Sequence, residues 1–339
     1  MDTSTQEMLA ESAAALFTDL ATPAAIRQAE EKGLDPALWQ AVSDSGFDLA
    51  LVPEALGGSG LGLRDAGALL QAMGRFAVPL PLGEAMLAHA LAAASGVSLP
   101  TGSLSAALAR RDGETLHAQA VPYGASVAHV LLVVPGEAAW LMPTNSARCT
   151  PHPGLSACME CDMTWPLGQA LQQIGLPEGC DWLAAGAALR SAQIAGALDP
   201  VLAMTLVYAE ERQQFGRGLA KFQAIQQQIA VLAEDCYAAR TAAALACDSG
   251  SAWPEGALAA AAKVVASQAA SRASGIAHAI FGAMGITAEH DLQLFTRRLQ
   301  GWRAQYGSED FWSARVGQAL VTGRGDTWDY ARQPEVQAA

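Results

Sequence analysis

The chain has 339 residues, a formal net charge of −13 and an isoelectric point near 4.8. Its length allows two or three domains with buried cores, whereas its acidic balance argues against a nucleic-acid binder and against electrostatic attachment to anionic lipid. Because 51% of the residues are hydrophobic, only 6% are aromatic and alanine is abundant, the composition favours helices.

The sequence carries no segment that we expect to direct it to a membrane or to secretion. No run of about 18 uncharged apolar residues occurs, so we expect no membrane span. The N-terminal stretch MDTSTQEMLAES lacks the basic and apolar regions of a signal peptide. The six cysteines are scattered, which predicts a cytoplasmic protein with free thiols. Cys158 and Cys161 lack the further ligands of a zinc site, so we expect no bound metal.

Residues 1–102 have the pattern of a helical domain. Apolar residues recur at helical spacing in three stretches: Leu9, Ala13, Leu16 and Leu20; Leu38, Ala41 and Val42; Ala66, Leu69, Leu70 and Met73. Between the second and third stretches lies VPEALGGSGLGL, whose proline and glycines predict a break in the chain. The last helix of this region contains GEAMLAHALAAA.

Residues 103–180 change in character. The runs HVLLVVPG and AAWLMP are short, apolar and bounded by proline and glycine, as strands are. Because long helical periodicity is missing here, we predict a small β domain.

Residues 181–330 return to helical periodicity. One long helix is predicted from apolar positions that step by three and four residues: Leu219, Phe222, Ile225, Ile229, Leu232 and Cys236. A second long helix is predicted over residues 257–280.

The stretch ERQQFGRGLAKFQAIQQQIA, residues 211–230, places polar side chains around a glycine break between two helices. The guanidinium of Arg212 offers a planar set of donors that suits a pyrophosphate. Phe215 and Leu219 could cover an adenine ring, to which Gln223 could bond. From the residues alone an alternative stays open, in which Arg212 pairs with a neighbouring glutamate and the glutamines form a solvated helix face.

A second glycine-rich stretch, AIFGAMGITAEHDLQLFTRR, covers residues 279–298. We expect a helix to end near Phe281, Gly282 and Gly285 to bend the chain, and Thr287 to cap the next helix. Backbone N–H groups at such a turn can hold an anion, although an ordinary helix–turn–helix has the same pattern.

Together these stretches resemble the acyl-CoA dehydrogenase family over nearly the whole chain. VPEALGGSGLGL followed by LLQAMGR resembles the N-terminal helical domain of that family, and the two C-terminal stretches resemble its FAD-binding signatures. The resemblance implies a mainly α fold with a small β domain: an N-terminal helical domain, a middle β domain and a C-terminal four-helix bundle. It also implies FAD, an acyl-CoA substrate and a dimer or tetramer.

The resemblance further implies roles for individual residues. Arg212 would reach across a dimer to the FAD pyrophosphate. The other implied cofactor contacts are Gln214, Phe215, Leu219 and Gln223 at the ADP end, and Ala279, Phe281, Gly282 and Ala283 beside the FAD of a neighbouring subunit.

The chain departs from the family pattern where the chemistry occurs. Tyr306 occupies the place of the catalytic glutamate, and a phenol is a poor base at neutral pH; Glu309 is the remaining weak candidate. The first helix of the bundle, AAGAALRSAQIAGAL, offers no acid, and the acidic flavin-binding loop is replaced by ALARRDGETLHAQAVPYG. In the second signature, Ala279 and Ala283 replace an expected glutamine and glycine.

These departures favour one hypothesis, in which the chain completes the FAD site of a homologous catalytic partner subunit in a heteromeric acyl-CoA dehydrogenase. Some family members that degrade steroids are assembled in this way. Two alternatives stay open. The chain could be a self-sufficient homo-oligomeric dehydrogenase, or a family member that has lost FAD and serves as a scaffold.

Overall fold

A computed structural model of the chain describes residues 3–152, 159–214 and 216–322. Phe215 and Cys158 therefore lie outside the described residues. The helices are α1 (Thr3–Leu20), α2 (Pro23–Lys32), α3 (Pro36–Asp44), α4 (Leu63–Arg75), α5 (Leu82–Ala94), α6 (Trp182–Glu211), α7 (Gln223–Ala246), α8 (Gly256–Phe281), α9 (Leu292–Ala304) and α10 (Glu309–Thr322). The strands are β1 (Leu104–Asp112), β2 (Thr115–Val121), β3 (His129–Val134), β4 (Ala138–Pro143), β5 (Arg148–Pro151), β6 (Cys161–Pro166), β7 (Gln172–Ile174), β8 (Gln213–Gln214) and β9 (Arg217–Gly218).

The described chain has the predicted order of helices, strands and helices. Two of the five N-terminal helices begin at clear local signals: Thr22 and Asp35 cap α2 and α3 by accepting backbone N–H bonds, and a proline follows each cap. Apolar faces of α4 and α5 enter the core, where Leu69, Leu82 and Leu91 are fully buried. Helix α5 also packs against β1 and so joins the helical region to the sheet.

Seven strands form one sheet in the order β5-β6-β2-β1-β3-β4-β7. All neighbours are antiparallel except β1 and β3, which run parallel. The predicted runs HVLLVV and AAWLMP are the paired strands β3 and β4. The stretch that replaces the acidic flavin loop forms the hairpin of β1 and β2, which turns at Gly113 with a positive φ of 57°.

Helices α6 to α9 pack on one another as a bundle. Helix α6 crosses α4 at unusually short range, because neither helix carries a side chain at the crossing. A Cβ added to Gly74 would lie 1.9 Å from the carbonyl oxygen of Gln193, and one added to Gly196 would lie 1.9 Å from that of Gln71. Only glycine at both positions allows this backbone contact.

Helix α6 is the element that tests the prediction that the chain has no membrane span. Among the described residues it alone is long and apolar enough to cross a bilayer, but 56% of its most apolar window is buried inside the protein. A buried core helix meets the same criteria of length and composition.

Two boundaries differ from the sequence prediction. Helix α7 begins at Gln223, because a hairpin of β8 and β9 and a short 3-10 turn at Leu219–Lys221 precede it. Thr287 does not cap the next helix: it follows the 3-10 turn Gly282–Ile286, and α9 starts only at Leu292, whose N–H donates to Nδ1 of His290. A histidine ring nitrogen thus takes the capping role predicted for a hydroxyl.

Candidate functional site

A cavity of about 1000 Å³ lies between the sheet and the bundle. Strands β1, β2, β5 and β6 form one wall, and the start of α6 with residues 304–307 forms the other. A pocket of this size at the junction of two structural layers is typical of ligand sites.

Tyr306 borders this cavity in a strained conformation, with a positive φ of 53°. Burial and the nearby Glu84 carboxylate raise the pKa of the Tyr306 phenol above its ordinary value. The phenol therefore stays protonated at neutral pH and cannot act there as a proton acceptor. Within the described lining of the cavity the one carboxylate is Asp162, which accepts a 2.9 Å bond from the N–H of Ala120 and lies 2.6 Å from Nδ1 of His152.

A series of polar side chains, joined by hydrogen bonds and largely buried, supports the loop that carries Tyr306. The guanidinium of Arg190 bonds to Glu84 and Gln193, and its Nε donates to Oε1 of Gln305 at 2.6 Å. Gln305 in turn donates to Glu160 at 2.9 Å. Arg190 and Glu84 are both almost fully buried, so each charge depends on the other for compensation.

Lys263 holds the same loop from the side of α8. Its buried ammonium donates to the carbonyl oxygens of Arg303, at 2.8 Å, and Gly307, at 2.7 Å, which flank Tyr306 in sequence. A third bond of 3.2 Å reaches the hydroxyl of Ser267. Burial, with a smaller contribution from the Arg190 guanidinium, lowers the pKa of Lys263 to about 7.

Glu309, the weak candidate for a base, begins α10 and does not border the cavity. Its carboxylate accepts bonds of 2.7 and 3.0 Å from Nε of Arg303 and a further bond from Nη2. These charged bonds lower the pKa of Glu309, which makes it a weaker proton acceptor. The geometry therefore argues against a catalytic role for Glu309.

The predicted cofactor contacts lie at the opposite end of α6. Arg212 ends this helix, and its backbone bonds to Tyr208 and Leu219, each at 2.9 Å. Its side chain is exposed and makes no ion pair within the described residues, so the alternative pairing with Glu210 or Glu211 is not observed. Gln214 and Gln223 are also exposed, and Leu219 is half-buried.

The glycine-rich segment lies beside this end of α6. The hydroxyl of Tyr208 donates to the carbonyl oxygen of Phe281 at 3.2 Å, and the two rings stack with centroids 4.2 Å apart. Phe281 is buried, whereas Ala279, Gly282 and Ala283 are exposed. Phe281 is thus a packing residue against the last turns of α6, just before the first predicted signature.

The two ends of α6 lie too far apart to belong to one binding site within a single chain. Leu183, near its first residue, borders the cavity, and Arg212 follows its last. A 30-residue helix spans about 45 Å at 1.5 Å per residue. Arg212 therefore lies far from the cavity of its own chain.

Sequence inspection missed Glu84, Arg190 and Lys263. A signal existed for Arg190, because it is the single charge in the apolar stretch AAGAALRSAQIAGAL, and a buried charge requires a partner. The same signal marks Glu84, the one acid in LGEAMLAHALAAA, and Lys263, the one charge in GALAAAAKVVASQAAS. Their partners could not be read from the sequence, because Arg190, Arg303 and Gly307 lie at least 40 residues away. Among the described residues no group of three or more His, Cys, Asp and Glu side chains is placed to hold a metal ion.

Comparison with known families and proteins agrees with this architecture. The N-terminal domain of acyl-CoA dehydrogenases matches residues 3–99, and the C-terminal domain matches residues 181–321. Acyl-CoA dehydrogenase IpdE2 of Mycobacterium tuberculosis is 33% identical over 306 residues, 87% of this chain and 91% of that protein. The IpdE2 of Mycolicibacterium smegmatis is 31% identical, with coverage of 87% and 92%.

Solved structures show the same fold. The Tcur3481–Tcur3483 steroid acyl-CoA dehydrogenase variant superposes with a TM-score of 0.80 at 25% identity, over 92% of this chain and 96% of that chain. The ChsE4–ChsE5 complex of Mycobacterium tuberculosis gives 0.81 at 21% identity, over 96% and 99%. The family models, the sequence relatives and the helix–sheet–helix architecture agree, and the chain belongs to the acyl-CoA dehydrogenase family.

Proposed function

We propose that this chain is a subunit of a cytoplasmic, FAD-dependent acyl-CoA dehydrogenase and completes the FAD site of a homologous catalytic partner. The observation that carries the proposal is the separation along α6. One end borders a cavity with a protonated tyrosine at the expected base position. The other presents the exposed guanidinium of Arg212, which forms no ion pair within the described residues.

The exposed end of α6 fits the ADP half of a cofactor bound by a neighbour. Arg212 can pair with a pyrophosphate in a bidentate manner, and the amides of Gln214 and Gln223 can bond to the nucleotide. Gly282 and Ala283 are also exposed and follow Phe281, which packs against Tyr208 of α6. FAD, when bound, supplies the acceptor for the substrate's β-hydride. The residues of this chain would hold and orient it, while the partner supplies the base.

The substrate class is proposed from the relatives. One solved structure of the same fold is named as a steroid acyl-CoA dehydrogenase, so we place the substrate among bulky CoA thioesters of that type. The self-sufficient alternative would require a base in this chain. It loses support because Glu309 is bound to Arg303 and Asp162 to Ala120 and His152.

Co-expression tests the proposal. The chain is purified alone and together with a homologous dehydrogenase encoded beside it, and the visible flavin absorbance is recorded after gel filtration. We expect flavin only in the larger, mixed complex. A yellow, active preparation of the chain alone would refute the subunit role, and loss of that activity in Glu309→Gln would identify the self-sufficient enzyme. A colourless mixed complex would favour a scaffold without FAD.

A further inference from the structure

Four strands of the sheet place polar side chains in one straight row. In the strand register, Arg148 of β5 lies opposite Thr164 of β6, Thr164 opposite His117 of β2, and His117 opposite Arg110 of β1. Residues in direct register point to the same face of a sheet. All four residues border the cavity of about 1000 Å³, so this arginine row, as we call it, forms part of its wall.

The arginine row offers donors at both of its ends. Adjacent strands lie about 4.8 Å apart, so the backbones of Arg110 and Arg148 are separated by about 14 Å. Between them the Thr164 hydroxyl and Nδ1 of His117 lie 3.3 Å apart and share a hydrogen bond. The row can therefore contact an extended ligand at two separate points.

Neither guanidinium of the row is strongly neutralised. Arg148 is exposed and forms no ion pair within the described part of the chain. Arg110 has one contact, 3.5 Å to the carboxylate of Asp112, between side chains that are 69% and 71% exposed. Exposed pairs of this kind contribute little, so both arginines are available to an anion.

The adjacent residue provides a contrast within the same strand. Arg111 points to the opposite face of β1, where it donates to the carbonyl oxygen of Gly113 at 2.9 Å. Glu114 and Glu137 lie 3.6 and 3.7 Å from its guanidinium. In a chain of net charge −13, the available arginines on this part of the sheet face the cavity.

We propose that the arginine row binds the phosphate groups of a nucleotide that enters this cavity. Guanidinium groups bind phosphates in a bidentate manner and remain charged at all physiological pH values. The ligand class is a nucleotide diphosphate, a chemistry shared by CoA thioesters and FAD. The choice of these two ligands rests on the proposed function, whereas the row itself follows from strand register and burial.

Calorimetric titration tests the row in the complex purified with the partner subunit. CoA and FAD are titrated separately into the wild-type complex, Arg110→Gln, Arg148→Gln, the double variant and the control Arg111→Gln. Because a hydrogen bond to a charged group contributes enough to change affinity about tenfold, we expect each single variant to raise the Kd about tenfold for CoA or for FAD. The control should stay within about twofold of wild type.

The ligand that binds more weakly to the variants is the molecule whose phosphate groups contact the arginine row. Weaker CoA binding with unchanged FAD binding assigns the row to the substrate, and the reverse result assigns it to the cofactor. The proposal is overturned if the double variant binds both ligands like the wild type, or if Arg111→Gln loses as much affinity. Flavin retention by the wild-type complex is measured independently, so a colourless complex that still binds CoA through the row refutes the proposed function alone.

Discussion

The ring of Tyr306 occupies the space that a side chain on Gly186 would need. A Cβ added to Gly186 would lie 2.3 Å from Cδ1 of the ring and 2.4 Å from Cγ. The guanidinium of Arg190, one turn along α6, lies 5.7 Å from the centre of the same ring. The tyrosine at the expected base position is thus packed into the first helix of the bundle.

This packing predicts a strong interaction between the two positions. Gly186→Ala should destabilise the protein by about 1–3 kcal/mol, because the added methyl group overpacks the core. In a Tyr306→Ala background the same substitution should cost much less, since the ring is gone. Urea unfolding of the four proteins in this cycle measures the coupling, and additive effects would contradict the packing described.

Lys263 predicts a pH dependence of stability. Its folded pKa of about 7 lies below the ordinary value of 10.5, so between these values the unfolded chain binds more protons than the folded one. Stability due to this group therefore rises with pH across that window, by at most about 1.4 kcal/mol per pH unit. Below pH 7 the full cost of burying the charge is present.

The difference in unfolding free energy between the wild type and Lys263→Met isolates this effect. We expect the wild type to become more stable relative to Lys263→Met as the pH increases from 7 to 10, as measured by urea unfolding at each pH. Lys221→Met, at an exposed site, should show no such shift. A pH-independent difference would mean that Lys263 titrates normally.

The ion pair of Glu84 and Arg190 predicts a large cost for removing one partner. Glu84→Gln leaves a buried guanidinium without its counter-charge and should destabilise the protein by about 3–5 kcal/mol. Asp291→Asn breaks the 2.6 Å pair with Arg27, whose side chains are 33% and 42% exposed, and should cost less than about 1 kcal/mol. Thermal unfolding compares the two variants, and equal losses would contradict the assigned burial.

Removal of the Arg212 side chain should reduce flavin binding without affecting folding. In the mixed complex, Arg212→Ala should reduce retained FAD at least about tenfold, because a charged, bidentate contact to a phosphate is removed. Arg240→Ala is the matched control, since that arginine lies on α7 and pairs with Asp199. Absorbance of the two purified variants decides the result, and equal flavin content in both would exclude a cofactor role for Arg212.

Sequence patterns predicted the order of the three regions because hydrophobic periodicity is a local property. The paired strands β3 and β4 and the end of α8 at Phe281 were found in this way. The cap of α9 was missed because Nδ1 of His290, a residue without strong capping preference, accepts the N–H of Leu292. That role was expected of the Thr287 hydroxyl.

The candidate site was less predictable, because it depends on contacts between distant segments. The arginine row requires the register of four strands, which the sequence does not specify, and the Lys263 bonds join α8 to a loop some 40 residues later. The exposure of the Arg212 side chain likewise depends on the positions of its neighbours, which the sequence does not give. Roles implied by family resemblance at Gln214, Leu219, Gln223 and Ala279 stay predictions.

The glycine crossing of α4 and α6 has a consequence for cooperativity. Since the carbonyl oxygens of Gln71 and Gln193 lie against Gly196 and Gly74, any rotation or sliding between these helices would bring the backbones into collision or open an unfilled gap. The N-terminal helices and the bundle therefore form a single rigid support for the sheet. The exposed side chains of Arg110 and Arg148 border the cavity, so a ligand can reach it without movement at this crossing. A cut near residue 102 would separate two parts of the chain that pack directly on each other.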